Sequence, residues 1–131
     1  MLPRGITPSD VDLVFDSLGN ILLTELSSQH ERWGDLERGQ VRLYENFVRA
    51  GDGKIIAALC KHSVSGRAIC TASDIDSFQV MFLCGSPAFG FSPQVTSVVS
   101  GSFWQRFVCG WVDNPPKSYK ALKAENTVSR N

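Results

Sequence analysis

The fold is decided by one stretch, residues 11–26, which reads Val-Asp-Leu-Val-Phe-Asp-Ser-Leu-Gly-Asn-Ile-Leu-Leu-Thr-Glu-Leu. Two apolar runs, 11–15 and 21–26, lie on either side of turn-forming residues around Gly19 and Asn20. Short apolar runs separated by such a turn are typical of a β-hairpin. The sequence therefore predicts two antiparallel strands at the start of the domain.

The register of this hairpin brings two carboxylates together. A turn centred on Leu18 and Gly19 places Asp12 directly opposite Glu25. Opposed side chains in an antiparallel pair lie about 5 Å apart, and like charges there repel each other. A divalent cation between the carboxylates would make the pair favourable, because hard cations prefer carboxylate oxygens. Solvated charges at the strand ends are the alternative, and Asp10 is a neighbouring third carboxylate on the same face.

A helix and a parallel strand are predicted to follow the hairpin. Apolar residues recur at helical spacing over 36–50, with charged residues on the other face, which predicts an amphipathic helix. Asp35 is the predicted N-cap, and Gly51 occupies the position of a C′ glycine. The continuous apolar run 54–60 then predicts a strand buried on both faces, in a β–α–β order.

The second half of the chain has weaker signals. A further strand is predicted over 77–85, and the glycine- and proline-containing stretch 85–94 reads as a loop. Aromatic residues at helical spacing predict a second amphipathic helix over 95–112, which ends before Pro115 and Pro116. The resulting fold class is α/β, with a central mixed sheet and flanking helices.

Composition limits the classes of protein that fit. The chain has 131 residues, equal numbers of acidic and basic residues and a hydrophobic fraction of 43%. These values predict one globular domain over 1–116 and a polar tail over 117–131. The zero net charge argues against a dedicated nucleic-acid coat protein. The absence of a secretory h-region or a long apolar run predicts a cytoplasmic protein, in which the four cysteines are reduced.

These elements together resemble the PD-(D/E)xK nuclease superfamily, and more narrowly its small phage-type and VRR-NUC-like members. The resemblance covers residues 9–60. It rests on Asp12-Leu-Val-Phe, a glycine turn, and an apolar strand that ends Glu25-Leu-Ser27. A helix that opens Leu36-Glu-Arg-Gly-Gln40 and a glycine before the next strand complete it. The resemblance implies a restriction-endonuclease-like core.

The resemblance also implies roles for particular residues. Asp12 and Glu25 would be the catalytic carboxylates and would bind Mg²⁺ or Mn²⁺, with the backbone carbonyl of Leu26 as a further metal ligand. Gln40 would steady the site or contact DNA. Ser27 stands where the family has its catalytic lysine, which stabilises charge on the phosphate.

Because serine carries no charge, a cation would have to come from elsewhere in the chain. By their place in the predicted order, the candidates are Arg38, Lys54 and Lys61. Together with Arg42, these residues are also the candidate DNA contacts.

The resemblance implies a Mg²⁺-dependent DNA endonuclease of phage type, located in the host cytoplasm. The alternative is a catalytically inactive protein of the same fold, which would bind DNA or inhibit a host protein complex such as a defence system. The resemblance further implies a homodimer, because small nucleases of this fold often cut two strands with two subunits. The aromatic segment 103–111 is the candidate dimer interface.

Overall fold

The computed structural model describes residues 11–65 and 72–113. Asp10, Cys70 and the predicted tail 117–131 lie outside these ranges. The described strands and α-helices, in chain order, are β1 (Leu13–Ser17), β2 (Asn20–Ser27), α1 (Arg38–Ala50), β3 (Ile55–His62), β4 (Ile75–Ser86), β5 (Gly90–Val95), β6 (Val99–Ser100) and α2 (Trp104–Asp113). Neither helix is long and apolar enough to cross a membrane.

The strands form one mixed sheet, which confirms the α/β class. Its order is β1-β2-β3-β4-β5, and β6 pairs with β4 beyond the end of β5. Strands β2 and β3 are parallel and are joined through α1, as the predicted β–α–β order requires. The other neighbouring strands are antiparallel. The edges of the sheet are therefore β1 on one side and β5 with β6 on the other.

The hairpin register agrees with the sequence prediction. Val14 pairs with Leu23 and Ser17 pairs with Asn20, so the two-residue turn is formed by Leu18 and Gly19. Both turn residues have positive φ angles, 53° and 79°. This is the backbone of a type I′ turn, whose twist matches that of the strands it joins. Leu18 adopts this conformation without being glycine, and 84% of its surface is exposed.

One face of the sheet, called the α2 face here, is covered by α2. Trp104, Phe107 and Trp111 of this helix are buried against apolar side chains from the sheet. Phe78 of β4 lies at the centre of the cluster, with ring centroids 5.1 Å from Trp104 and 5.5 Å from Phe107. The prediction of an exposed aromatic interface over 103–111 is therefore wrong for most of the segment. Phe103 is its exposed aromatic residue, at 47%.

The opposite face, called the α1 face, is covered by α1 and by the loop before it. Tyr44 and Val48 of the helix pack with Trp33 of the loop and with Leu59 and Met81 of the sheet. Trp33 is 2% exposed, so it belongs to the core. The apolar stripe of α1 accordingly covers the middle of the sheet.

The boundaries of α1 differ from the prediction. The helix begins at Arg38 rather than residue 36, and Asp35 lies in a preceding 3₁₀ turn instead of capping the helix. Gly51 keeps a right-handed backbone, and Asp52 and Gly53 take the positive φ angles of the turn. A Cβ atom at Gly51 would overlap the Ile55 side chain, so glycine is needed there for close packing.

Two predictions for the second half of the chain are wrong. Residues 85–94 are not a loop, because β4 continues to Ser86 and β5 begins at Gly90 after a three-residue turn. The second helix starts at Trp104 rather than residue 95. The residues before it form β6 and a 3₁₀ turn, in which Gly101 lies against the backbone of Ile75. A side chain at Gly101 would overlap that backbone, so glycine lets the turn lie directly against β4.

Candidate functional site

Asp12 and Glu25 lie side by side at one end of the sheet. The last paired residues before them, Leu13 and Thr24, are in register, so Asp12 faces Glu25 as the sequence predicts. The carboxylate of Asp12 accepts a hydrogen bond from the backbone N–H of Leu26, at 2.8 Å. This bond fixes Asp12 at the edge of β2. We call this end of the sheet the site end, and the end with the Leu18–Gly19 turn the turn end.

Two side chains of α1 hold the Glu25 carboxylate. The amide nitrogen of Gln40 donates to one oxygen of Glu25, and the hydroxyl of Tyr44 donates to the other at 2.7 Å. Gln40 and Tyr44 are four residues apart, so they lie on the same side of the helix. Glu25 is only 8% exposed. The carboxylate is therefore buried, oriented and bonded through both oxygens.

Burial makes Glu25 difficult to ionise. The pKa of Glu25 is raised from an ordinary value of 4.5 to about 7, chiefly by desolvation, although the hydrogen bond from Tyr44 lowers it. The neighbouring charge of Asp12 and a hydrogen bond with that residue contribute to this raised value. The pKa of the Tyr44 hydroxyl is also raised, by burial and then by Glu25. At neutral pH, Glu25 is poised between its neutral and charged forms.

Ser27 has a structural contact in the described fold. Its hydroxyl accepts hydrogen bonds from the backbone N–H groups of Gln29, at 3.2 Å, and His30, at 3.0 Å. These contacts shape the turn that leaves β2, as serine commonly does after a strand. Ser27 carries no charge that could replace the family's lysine.

Lys61 is the basic residue that the sheet brings next to Ser27. The two residues are partners in the parallel register of β2 and β3. Partners in a sheet share a face, and alternate residues along a strand do so too. Lys61 therefore lies on the same face as Glu25, which is two residues before Ser27. The amine is 3.9 Å from Asp76, and the Lys61 side chain is 30% exposed.

The other predicted cations do not converge on the carboxylates. The backbone carbonyl of Lys54 accepts from Ile21 N–H, which places Lys54 at the turn end, away from Asp12 and Glu25. Arg38 and Arg42 are exposed on α1, and each is two residues from Gln40. A separation of two residues turns a helix by about 200°, so both arginines point away from the side that meets Glu25.

Sequence reasoning missed two residues that build the site end. Tyr44 is one of the apolar residues at helical spacing over 36–50, and its spacing of four from Gln40 is a signal that both could reach one group. Gln79 is 6% exposed and gave no local signal. Its side-chain oxygen accepts from the backbone of Trp33 at 2.8 Å, and its amide donates to the Thr96 carbonyl at 2.8 Å. Gln79 thus clamps the loop before α1 onto the sheet.

The described residues contain no group of three or more His, Cys, Asp and Glu side chains that could hold a metal ion. The candidate centre therefore rests on two carboxylates and neighbouring backbone groups. Comparison with known protein families, with curated proteins and with solved structures finds no match for this chain.

Proposed function

We propose that the chain is a metal-dependent phosphodiesterase that acts on DNA, with Asp12 and Glu25 as its carboxylate metal ligands. The observation that carries this proposal is the pairing of exposed Asp12 with buried Glu25 across the hairpin. Placing two carboxylates together in a partly buried site is unfavourable for a purely structural hairpin. A divalent cation would compensate their charge and favour the ionised form of Glu25.

The donor set fits Mg²⁺ or Mn²⁺. Mg²⁺ commonly uses one or two carboxylates and completes its shell with water and substrate phosphate. The backbone carbonyl of Leu26 would be a third donor. In a strand, the N–H and C=O of one residue point to the same side, and Leu26 N–H points to Asp12. Its carbonyl therefore faces the edge where Asp12 lies.

Residues of the chain would then have separate roles in hydrolysis. A bound cation would lower the pKa of an attacking water and polarise the phosphate. Gln40 and Tyr44 hold Glu25 in one orientation, and Leu26 N–H holds Asp12. Lys61 would supply the positive charge that Ser27 lacks, because it lies on the same face one strand away. Such a charge stabilises the phosphate in the transition state.

The proposal is tested by DNA cleavage with Mg²⁺ or Mn²⁺, on plasmid, linear duplex, single-stranded and branched substrates. Asp12→Asn and Glu25→Gln are each expected to reduce cleavage at least about 100-fold, because losing a metal ligand should cost at least as much as losing a group that orients one, about 10- to 100-fold. Asp16→Asn is the matched control, because Asp16 lies on the same strand and face but at the turn end. The proposal fails if wild type does not cut, or if the two site variants cut as well as the control.

The role of Lys61 has its own matched control. Lys61→Met is expected to lower kcat about 10- to 1,000-fold, in the range found when one electrostatic donor is removed. Lys54→Met removes the same charge at the turn end and should leave kcat unchanged. Equal rates for both variants would exclude Lys61 as the replacement cation.

A second candidate function is a non-catalytic binding protein of the same fold. It is favoured by the bonding of the site, since both oxygens of Glu25 and the hydroxyl of Ser27 already have partners within the chain. This candidate predicts no cleavage and no Mn²⁺ binding. A DNA-binding version predicts affinity that falls steeply with salt, whereas an inhibitor of a host complex predicts a stable protein complex without DNA.

A further inference from the structure

Helix α1 leaves part of its face of the sheet uncovered. It lies over β3, β4 and β5, and it reaches β2 at the site end, where Gln40 and Tyr44 bind Glu25. Nearer the turn end, Val14 of β1 pairs with Leu23 on the α1 face, and the Val14 side chain is 58% exposed. A shallow groove therefore runs from the carboxylate pair toward the turn end, between α1 and β1.

One wall of this groove is formed by α1, and Phe47 is the aromatic residue of that wall. Phe47 is seven residues after Gln40, almost two full turns, so both lie on the side of the helix that faces β2. The helical rise places Phe47 about 10 Å from Gln40 along the axis. Because α1 runs antiparallel to β2, Phe47 lies beside Leu23 and Val14 rather than beside Glu25. The Phe47 side chain is 40% exposed, so part of the ring is available for contact.

The charges around the groove do not favour a phosphate backbone within it. The three arginines of α1 are each two residues from Gln40 or Phe47, a separation that turns the helix by about 200°, so they point away from the groove. The charges beside the groove are the carboxylates of Asp12 and Asp16, which flank Val14 on the same face of β1. Carboxylates repel phosphate. The apolar centre of the groove therefore suits a flat, uncharged group.

We propose that the groove binds an unpaired nucleobase of the substrate, stacked on Phe47, beside the phosphate that is held at the carboxylate pair. The substrate class is thus single-stranded DNA. This inference rests on the proposed function, because the carboxylate site sets where the DNA strand lies. Every nucleobase has a flat π-face that stacks on aromatic side chains with little dependence on sequence. In a duplex those faces are already stacked on neighbouring bases, so they are not available to Phe47.

The test is the binding of a short fluorescein-labelled single strand and of the same strand in a duplex, measured by fluorescence anisotropy. Ca²⁺ replaces Mg²⁺, because it also takes carboxylate ligands. Phe47→Ala should weaken single-strand binding about 5- to 150-fold, the effect of losing one stacked base. The loss should be the same at low and high salt, because stacking releases no counterions. Phe47→Trp keeps an aromatic face and should bind like wild type.

Phe91→Ala is the matched control. Phe91 is 53% exposed and lies on β5, at the opposite edge of the sheet from β1, so its loss should leave DNA affinity unchanged. Equal single-strand affinity for wild type and Phe47→Ala overturns the proposal. Duplex binding by wild type as tight as single-strand binding also overturns it.

Cleavage separates this inference from the proposed function. With Mg²⁺ and single-stranded substrate, Phe47→Ala should raise KM by the same factor and leave kcat nearly unchanged, because stacking contributes equally to the ground state and the transition state. If wild type cuts DNA and Phe47→Ala has the same KM, only the base-binding groove is wrong. If binding depends on Phe47 but wild type does not cut, the groove stands and the phosphodiesterase activity is wrong. If wild type neither binds nor cuts DNA, both proposals fail.

Discussion

The two faces of the sheet are built from the same strands but have opposite chemistry. Thr24 and Glu25 are consecutive in β2, and they enter the α2 face and the α1 face respectively. The α2 face is filled by apolar residues and by stacked aromatic rings from α2. The α1 face buries a carboxylate and a carboxamide, each with hydrogen bonds to distant parts of the chain.

This difference indicates that the α2 face mainly stabilises the fold, whereas the α1 face also carries the candidate site. A buried polar group must recover its lost hydration through hydrogen bonds, so it stabilises a fold less than an apolar group of the same size. The α2 face shows that this chain can build an apolar core. Polar residues collected at the site end of the α1 face are therefore better explained by function than by folding, and the function should be sought there.

The largest effect should come from breaking the α2 face. Trp111 is 1% exposed within the aromatic cluster, so Trp111→Ala leaves a cavity and is expected to lower the free energy of unfolding by about 3–5 kcal/mol. Phe103→Ala changes an aromatic residue of the same segment that is 47% exposed, and it should cost about 1 kcal/mol or less. Urea unfolding midpoints measure both values, and similar losses would contradict the assignment of Trp111 to the core.

The carboxylate pair could be predicted from sequence because its determinants are local. The turn around Gly19 sets the register, and the register alone places Asp12 opposite Glu25. Gln40 was predicted from the resemblance, and the helix does bring it to Glu25. Local turn chemistry and helical spacing were sufficient for this part of the site.

Other parts depend on contacts that are distant in sequence. Gln79 meets Trp33 across 46 positions, and no pattern near either residue indicates the contact. Strand β5 was hidden because Gly90 and Pro93 read as loop residues, although proline is tolerated on an edge strand. The late start of α2 follows from packing of Gly101 against Ile75. Tertiary contacts overrode the local signal at each of these positions.

The α1 face should show a pH dependence of stability that the α2 face lacks. Folded Glu25 keeps its proton up to about pH 7, whereas unfolded Glu25 releases it near pH 4.5. Between these values the folded state binds more protons, so the free energy of unfolding falls as pH rises. Because Glu25 retains some solvent contact, we expect its contribution to be about 2 kcal/mol.

Glu25→Gln isolates that contribution. In the presence of a chelator, the variant should gain stability over wild type as the pH rises from 4.5 to 7, and the difference should then level off. Glu37→Gln is the control, because Glu37 is exposed at the start of α1. Parallel stability curves for wild type and Glu25→Gln would show that the pKa of Glu25 is not raised.

The smallest effects concern two buried hydroxyl groups, one without and one with hydrogen-bond partners. Thr24 is fully buried on the α2 face, and its hydroxyl has no hydrogen-bond partner within the described residues. Thr96 is also buried, but its hydroxyl accepts from Val80 N–H at 3.2 Å and donates to the Ser97 carbonyl at 2.8 Å. Valine has nearly the same shape as threonine, so the same substitution tests both positions.

Thr24→Val should raise the free energy of unfolding by about 1 kcal/mol, because it removes a polar group that is buried without a partner. Thr96→Val should lower it by about 1–2 kcal/mol, because it breaks two hydrogen bonds and leaves the Val80 N–H without its acceptor. Thermal and urea unfolding of the two variants give the comparison directly. Opposite signs would show that a buried hydroxyl stabilises this fold only where it has hydrogen-bond partners. If Thr24→Val is destabilising, the Thr24 hydroxyl has a partner such as a buried water, and the α2 face contains a satisfied polar group.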